Sequence, residues 1–339
     1  MKRKRFAFLM VLSLCFIAGC NKSSSKNASK AGNTSETPGS ISQEPPYYEL
    51  TWKDYEKYYS GYEFQNKMGT DLLNRIHDYL IDKHQTYVTY SNYWYYANTG
   101  TDLIPGTETN QLFYTNKTSP VHTHEDQDRE HVWPCASSNG QWYRLSQFVQ
   151  TRIDGSYDYW GGGSDLFHVR PATGNVNSQR SNASFYVFSE AELNDPALGI
   201  KNVGDGGPYK IKVNYNASKV EVDDSFKGDV ARIVLYVYAH YSQIGTKQVY
   251  YSADYKPVYS LDEAIAPDST NTPYVCGSLN LTDVIGGNNL QECYRMLKEW
   301  NRLDPPSAVE MNRNNYVQSI QGNRNPFIDY PQLVDYCLL

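Results

Sequence analysis

Apolar positions recur along this chain at helical spacing and in strand-like alternation, and each pattern predicts an element. Leu72, Leu73, Ile76, Tyr79 and Leu80 fall on one face at helical spacing, so residues 66–84 read as an amphipathic helix. The following stretch, TYVTYSNYWYY (86–96), is rich in β-branched and aromatic residues and predicts a strand whose rings go to the core rather than to a base-stacking surface. WYRLSQFVQTRI (142–153) suits a short helix, and DGSYDYWGGGS (154–164) a loop. DLFHVRP (165–171) alternates like a strand, and the polar run Thr173–Asn182 opens a helix after Pro171. Val230, Ile233, Val234, Val237 and Tyr241 form one stripe within Asp229–Ser242, which predicts a central buried helix where Tyr238 and His240 pack rather than ligate. Two more helices follow, Asn289–Arg302 and Ser307–Ile320. The second opens on a Ser307/Glu310 capping box and stops at Gly322.

The first 45 residues carry no such periodicity. Lys2-Arg3-Lys4-Arg5 precedes an apolar run, Phe6–Ile17, that is too short to span a bilayer and ends in Ala18-Gly19-Cys20, the pattern of a leader peptide. Ala-Gly-Cys resembles a bacterial lipobox, which implies a leader at 1–19, lipidation of Cys20 and a cell-envelope lipoprotein held to the membrane through that residue. Residues 21–45 are Ser, Asn, Lys, Gly and Thr with hardly an apolar side chain, so 20–45 reads as a flexible tether and 46–339 as the folded domain. Four of the 31 basic residues lie at positions 2 to 5, whereas all 37 acids lie later, so the exported chain carries about −10. An acidic total leaves little nonspecific attraction for a polyanion, and any nucleic-acid binding then depends on local charge and on a bound cation.

Candidate chemistry concentrates in DREHVWP (128–134). Glu130 offers hard carboxylate oxygens to a cation, and His131 an imidazole able to take a proton from water. Adjacent strand residues point to opposite faces, so these two serve one site only in different roles and only where the strand ends. Pro134 and Asn139-Gly140 place that end just after His131. A second block, SDLFHVRPATGNVNSQRSN (164–182), supplies Asn177. Together with KGDVARIVLYV and the QGNRNPFIDYP tail, these blocks resemble the bacterial endonuclease I family of secreted nucleases over most of residues 50–336.

The resemblance implies an α+β fold, a mainly helical scaffold around a small sheet, with a ββα-metal (His-Me) finger at the site. It also implies a phosphodiester hydrolase with little sequence preference, with DNA as the first expected substrate and RNA as the alternative. In that reading His131 is the general base, while Glu130 and Asn177 hold one divalent ion, Mg²⁺ before Ca²⁺ or Mn²⁺. Arg170 and Arg180 would grip phosphates, and Asp165 would orient a ligand or cap a turn. Family members carry a His where this chain has Phe167, which leaves His168 to take over that task or leaves the task unfilled. Arg129 and Trp133 read as support for the strand.

Two other readings compete. His122-Thr123-His124-Glu125-Asp126 is similar to the zinc cluster of metallo-β-lactamase-like hydrolases, but Gln127 replaces the last histidine. A noncatalytic lipoprotein that keeps the fold as a binding module is the other. Cysteine adds little: Cys135, Cys276, Cys293 and Cys337 allow three disulfide pairings, and no C-x-x-C spacing suggests zinc.

Overall fold

The computed structural model describes residues 55–121, 127–134, 148–151, 157–242, 250–251, 257–258 and 279–339. The leader, Cys20, the tether, the His122/His124 cluster, Cys135 and Cys276 lie outside the described residues. Helix α1 (Gly69–Lys83) buries Leu72, Leu73, Ile76, Tyr79 and Leu80, the stripe its sequence predicts. Ahead of the site, Tyr93–Tyr96 is a short helix running into a π-turn at Ala97–Thr101, where strand propensity predicts a strand. The reason is the spacing of Tyr93 and Ala97, four apart and both fully buried, which outweighs the β-branched residues before them. Residues Phe148–Thr151 and Tyr157–Trp160 likewise pair as an antiparallel hairpin rather than forming a helix and a loop, with Val149 opposite Tyr159.

Strand β1 (Gln127–His131) pairs antiparallel with β2 (Val169–Thr173), Glu130 opposite Arg170 and His131 opposite Val169. The second strand starts later than its alternation suggests, because Asp165–His168 is a turn whose Asp165 carbonyl accepts from the amides of His168 and Val169. Helix α2 (Gly174–Arg180) follows with no intervening loop, its start fixed by the Thr173 side chain accepting from the Val176 amide. A four-stranded sheet not legible in the periodicity comes next: β3 (Ser184–Phe185), β4 (Lys201–Val203), β5 (Ile211–Asn214) and β6 (Lys219–Glu221), in the order β3-β6-β5-β4. Only the β3–β6 pair is parallel.

Helix α3 (Asp224–Tyr241) runs through the middle, with 14 buried positions, and packs on α1 and on α4 (Leu290–Leu303). Helix α5 (Ala308–Gln321) has both halves of its Ser307/Glu310 capping box and ends at Gly322, whose φ of 93° favours glycine. Arg232 of α3 grips Glu310 with both ends of its guanidinium, at 2.8 and 2.6 Å, tying the two helices together.

The turn leading into β2 is fastened from three sides through Asp165. One carboxylate oxygen accepts from the Phe167 amide at 2.8 Å and from Gln321 Nε2 at 3.1 Å. The other accepts from the hydroxyls of Tyr236 and Tyr241, at 2.7 and 2.6 Å. Gln321 returns its Oε1 to the Leu166 amide, Asn323 donates to the Tyr236 hydroxyl, and Arg313 donates to the carbonyls of Leu166 and Val169. The tail motif therefore acts at a distance, holding one end of β2 in place.

Candidate active site

Side chains on β1 divide between two faces. Asp128 and Glu130 share the face against which α2 packs, while Arg129 and His131 share the other. Glu130 is buried, and its Oε1 accepts from the Tyr114 hydroxyl at 2.7 Å and lies 3.3 Å from Arg180 Nη1. Burial pushes its carboxyl above the usual range, and Arg180 and the Tyr114 hydrogen bond oppose that shift. Its Oε2 makes no hydrogen bond among the described residues. Asn177, on α2, donates from Nδ2 to Asp128 Oδ2 at 3.2 Å. That contact fixes which way the amide points and leaves Oδ1 unengaged among the described residues.

His131 is half-buried at the last residue of β1, where the strand was expected to end. Its Nε2 lies 2.8 Å from the Gly163 carbonyl and therefore carries the proton, which leaves the Nδ1 lone pair as the basic position. Burial, with the neighbouring His168, lowers its pKa to about 3, so the ring is neutral at pH 7. His168 is fully buried and accepts the Trp133 amide on Nε2 at 2.9 Å, so its Nδ1 is the atom that donates to the Gly162 carbonyl at 2.6 Å. Both histidines thus lean on consecutive carbonyls of one glycine run, which turns at Gly161 with φ 113°. His168 splints the backbone just past His131 to the same loop that orients the His131 ring.

The two arginines are placed differently from what a grip on the scissile phosphate requires. Arg180 is 1% exposed, and its guanidinium donates to the carbonyls of His131 at 3.1 Å, Ser181 at 3.1 Å and Val132 at 2.6 Å besides facing Glu130. Arg170 is 8% exposed, bonded through Nε to Asp102 Oδ1 at 2.8 Å and lying 4.3 Å over the Phe113 ring. Both are engaged inside the protein as clamps. Sequence reasoning missed Asp128, Tyr114 and the Gly162/Gly163 carbonyls. The period-2 spacing to Glu130 could have pointed to Asp128; nothing local marks Tyr114.

Among the described residues, two donor sets offer themselves to a cation. Glu130 Oε2 and Asn177 Oδ1 are unengaged hard donors, and this chemistry fits Mg²⁺, Ca²⁺ or Mn²⁺ rather than zinc. Deeper, His84, Asp165 and His240 bring ligand atoms within 4.8 Å of one another. Both oxygens of that carboxylate, however, already accept two hydrogen bonds each, which makes the group a structural fastening. Cys293 and Cys337 are free thiols buried in the core.

The endonuclease I family profile matches residues 60–265 and 282–332. An extracellular ribonuclease of Bacillus amyloliquefaciens is 30% identical over 288 residues, covering 83% of this chain and 78% of the relative. An extracellular ribonuclease of Bacillus subtilis (strain 168) is 30% identical over 290 residues, covering 84% and 79%. The family and the similar Bacillus proteins support a phosphodiester hydrolase. A match on that scale, across both the strand–strand–helix unit and the tail that braces it, means that the chain belongs to the endonuclease I family.

Proposed function

We propose that this protein is an exported, metal-dependent endonuclease that hydrolyses phosphodiester bonds in DNA and RNA with little sequence preference, using β1, β2 and α2 as a ββα-metal finger. The observation that carries this reading is the division of labour at His131. One ring nitrogen is fixed by the Gly163 carbonyl and the other is left basic, while Glu130 on the opposite face of the strand and Asn177 on the α2 helix packed there each keep an oxygen unengaged among the described residues. RNA is included because the similar Bacillus proteins are named ribonucleases.

His131 Nδ1 takes the proton of the attacking water. As positive charge develops on the ring, the hydrogen bond from Nε2 to Gly163 strengthens and stabilises it. Glu130 and Asn177 would hold a divalent ion, Mg²⁺ by preference, which would supply positive charge against the charge that builds on the phosphoryl and leaving 3′ oxygens. Asp128 keeps the Asn177 amide turned with its oxygen outward, and Arg180 pins the backbone carbonyls of His131 and Val132 so that base and ligand stay in register. Products carry 5′-phosphate and 3′-hydroxyl ends. Lipidation at Cys20 would keep the enzyme on the cell envelope, and no described helix is long and apolar enough to cross a membrane.

Plasmid nicking and RNA degradation by the purified chain test the proposal. Cleavage is expected with Mg²⁺, to stop with chelator, and to fall at least a hundredfold in His131→Ala, within the range that a positioned base contributes. Cleavage that persists in His131→Ala and fails in His122→Ala would instead favour the zinc cluster. Binding without cleavage under any divalent ion would favour a binding module.

A further inference from the structure

A cavity of about 200 Å³ lies where the first turns of α3 and α5 meet residues 111–116, and none of Asp128, Glu130, His131 or Asn177 lines it. Ser225 and Val309 are its exposed rim, and Phe113 and Phe226 are apolar walls. Two arginines line it as well, Arg170 and Arg313, only 8% and 4% exposed. They share one acid. Arg170 Nε donates to Asp102 Oδ1 at 2.8 Å, and Arg313 Nε lies 3.5 Å from the same oxygen. Arg313 also gives Nη2 to the Leu166 and Val169 carbonyls. Its Nη1 and both amino nitrogens of Arg170 make no hydrogen bond among the described residues. Of the unbonded nitrogens on these two side chains only Arg313 Nε is sealed from solvent, so three amino nitrogens remain open to a ligand.

Two guanidiniums against one carboxylate leave a positive excess away from bulk water, where an unpaired charge is costly. Burial pushes the Arg313 guanidinium below its usual range, and Arg170 adds to that against the pull of Asp102. Two further acids line the cavity without removing the excess. Arg232 holds Glu310 with both ends of its guanidinium and reaches Asp229 Oδ1 at 3.2 Å. Burial, and then Glu310, push the Asp229 carboxyl well up, so these two acids share a proton and Arg232 balances the charge that is left. Fixed guanidinium donors with surplus charge are suited to an oxyanion, phosphate above all. We propose that Arg170 and Arg313 form a second anion site that takes a terminal phosphate, either free phosphate or the 5′-phosphate of a nucleic-acid end. A cavity of this size suits a terminal group better than a strand that has to enter and leave. Only the nucleic-acid source rests on the nuclease reading. Arg170 stands opposite Glu130 in the β1–β2 ladder and over the ring of Phe113, whose neighbour Tyr114 bonds Glu130, so an occupant bears on the strand pair that carries the proposed ion ligand.

Isothermal titration of inorganic phosphate into the full-length protein, in Mg²⁺ and again in chelator, tests the site. Binding is expected in both, because the arginines need no ion; phosphate that binds only in Mg²⁺ is held by the ion instead and overturns the proposal. Arg170→Gln and Arg313→Gln should abolish binding. Both also remove a buried charge beside β2, so the rim carries the test where they do not fold. Ser225→Glu adds a carboxylate at an exposed position and should weaken phosphate by roughly tenfold or more, while Ser225→Lys keeps or tightens it. Equal affinity in Ser225→Glu and the wild type overturns the site. A short DNA oligonucleotide with a 5′-phosphate and its 5′-hydroxyl counterpart, both labelled at the 3′ end and read by anisotropy in chelator, identify the source. Tighter binding of the phosphorylated end, lost in Ser225→Glu, assigns the site to nucleic-acid ends; equal binding of the two, with inorganic phosphate still bound, assigns it to free phosphate. Neither phosphate binding nor a difference between the two oligonucleotides overturns it. Failure of the wild-type protein to cleave would count against the nuclease reading alone, since these readouts do not depend on catalysis.

Discussion

His131 gives one ring nitrogen to the Gly163 carbonyl and leaves the other without a hydrogen bond among the described residues, and the proposed ion ligands are oriented in the same way. Asn177 is an amide whose orientation is set by Asp128, and Glu130 has one oxygen committed to Tyr114 and Arg180. Glu130→Ala and Asn177→Ala are each expected to lower activity and to be rescued in part by raising Mg²⁺, since they weaken ion binding and leave the base intact. Activity in either variant that is indifferent to Mg²⁺ concentration would show that the ligands lie elsewhere. Asp128→Ala should resemble Asn177→Ala in a weaker form, because the amide is then free to present nitrogen to the ion. Isothermal titration of Mg²⁺ into the three variants gives the ranking directly.

At the scale of the element, the strand–strand–helix unit is held closed by Arg180, which bridges α2 to the last two residues of the first strand. Removing one partner of a buried pair leaves the other charge uncompensated, at a cost of about 3–5 kcal/mol. Arg180→Met should therefore shift the urea midpoint strongly as well as abolish cleavage. An arginine that met only substrate phosphate would cost activity and leave the unfolding curve where it was. Arg170, paired with Asp102, should follow the same pattern. The capping box at Ser307 was legible in advance because its two residues lie three apart. The partners of Arg180 were not, since its contacts cross 48 or 49 positions.

The whole molecule converges on Asp165, and the two histidines beside it make stability depend on pH. His84 is buried with its Nδ1 3.8 Å from that carboxylate, and His240 lies 3.7 Å from it. The hydroxyls of Tyr236 and Tyr241, the amide of Gln321 and the Phe167 backbone N–H donate to this carboxylate. Burial outweighs the pull of Asp165 and lowers the His84 pKa from 6.5 to about 4. In the unfolded chain the ring titrates at its ordinary value. Between the two pKa values the unfolded state binds more protons, so stability is complete above about pH 6.5 and declines as pH falls towards 4. The loss from His84 alone is on the order of 3 kcal/mol, and His240, lowered in the same direction by burial, adds to it. Urea unfolding at pH 7.5, 6 and 5 should show a falling midpoint, less steep in His84→Gln. A midpoint independent of pH in that range would mean that these rings are protonated in the folded protein.

What the amino-acid order determined by itself is whatever depends on near neighbours. The α1 and α3 helices follow from apolar spacing and α5 from its capping box and terminal glycine, the end of β1 at His131 follows from Pro134 and Gly140 past it, and the succession strand, insertion, strand, helix follows from the two motif blocks. Tertiary structure alone decided that the helix of 86–96 is confined to Tyr93–Tyr96, with Tyr90 in the turn before it beside His131, and that Arg170 and Arg180 turn inward. It also placed Tyr114 on Glu130 and two glycine carbonyls under two histidines. Periodicity records which face of an element is buried. Which polar atom meets which depends on how distant segments stack, and buried polar groups accept only the arrangement that satisfies all of them together.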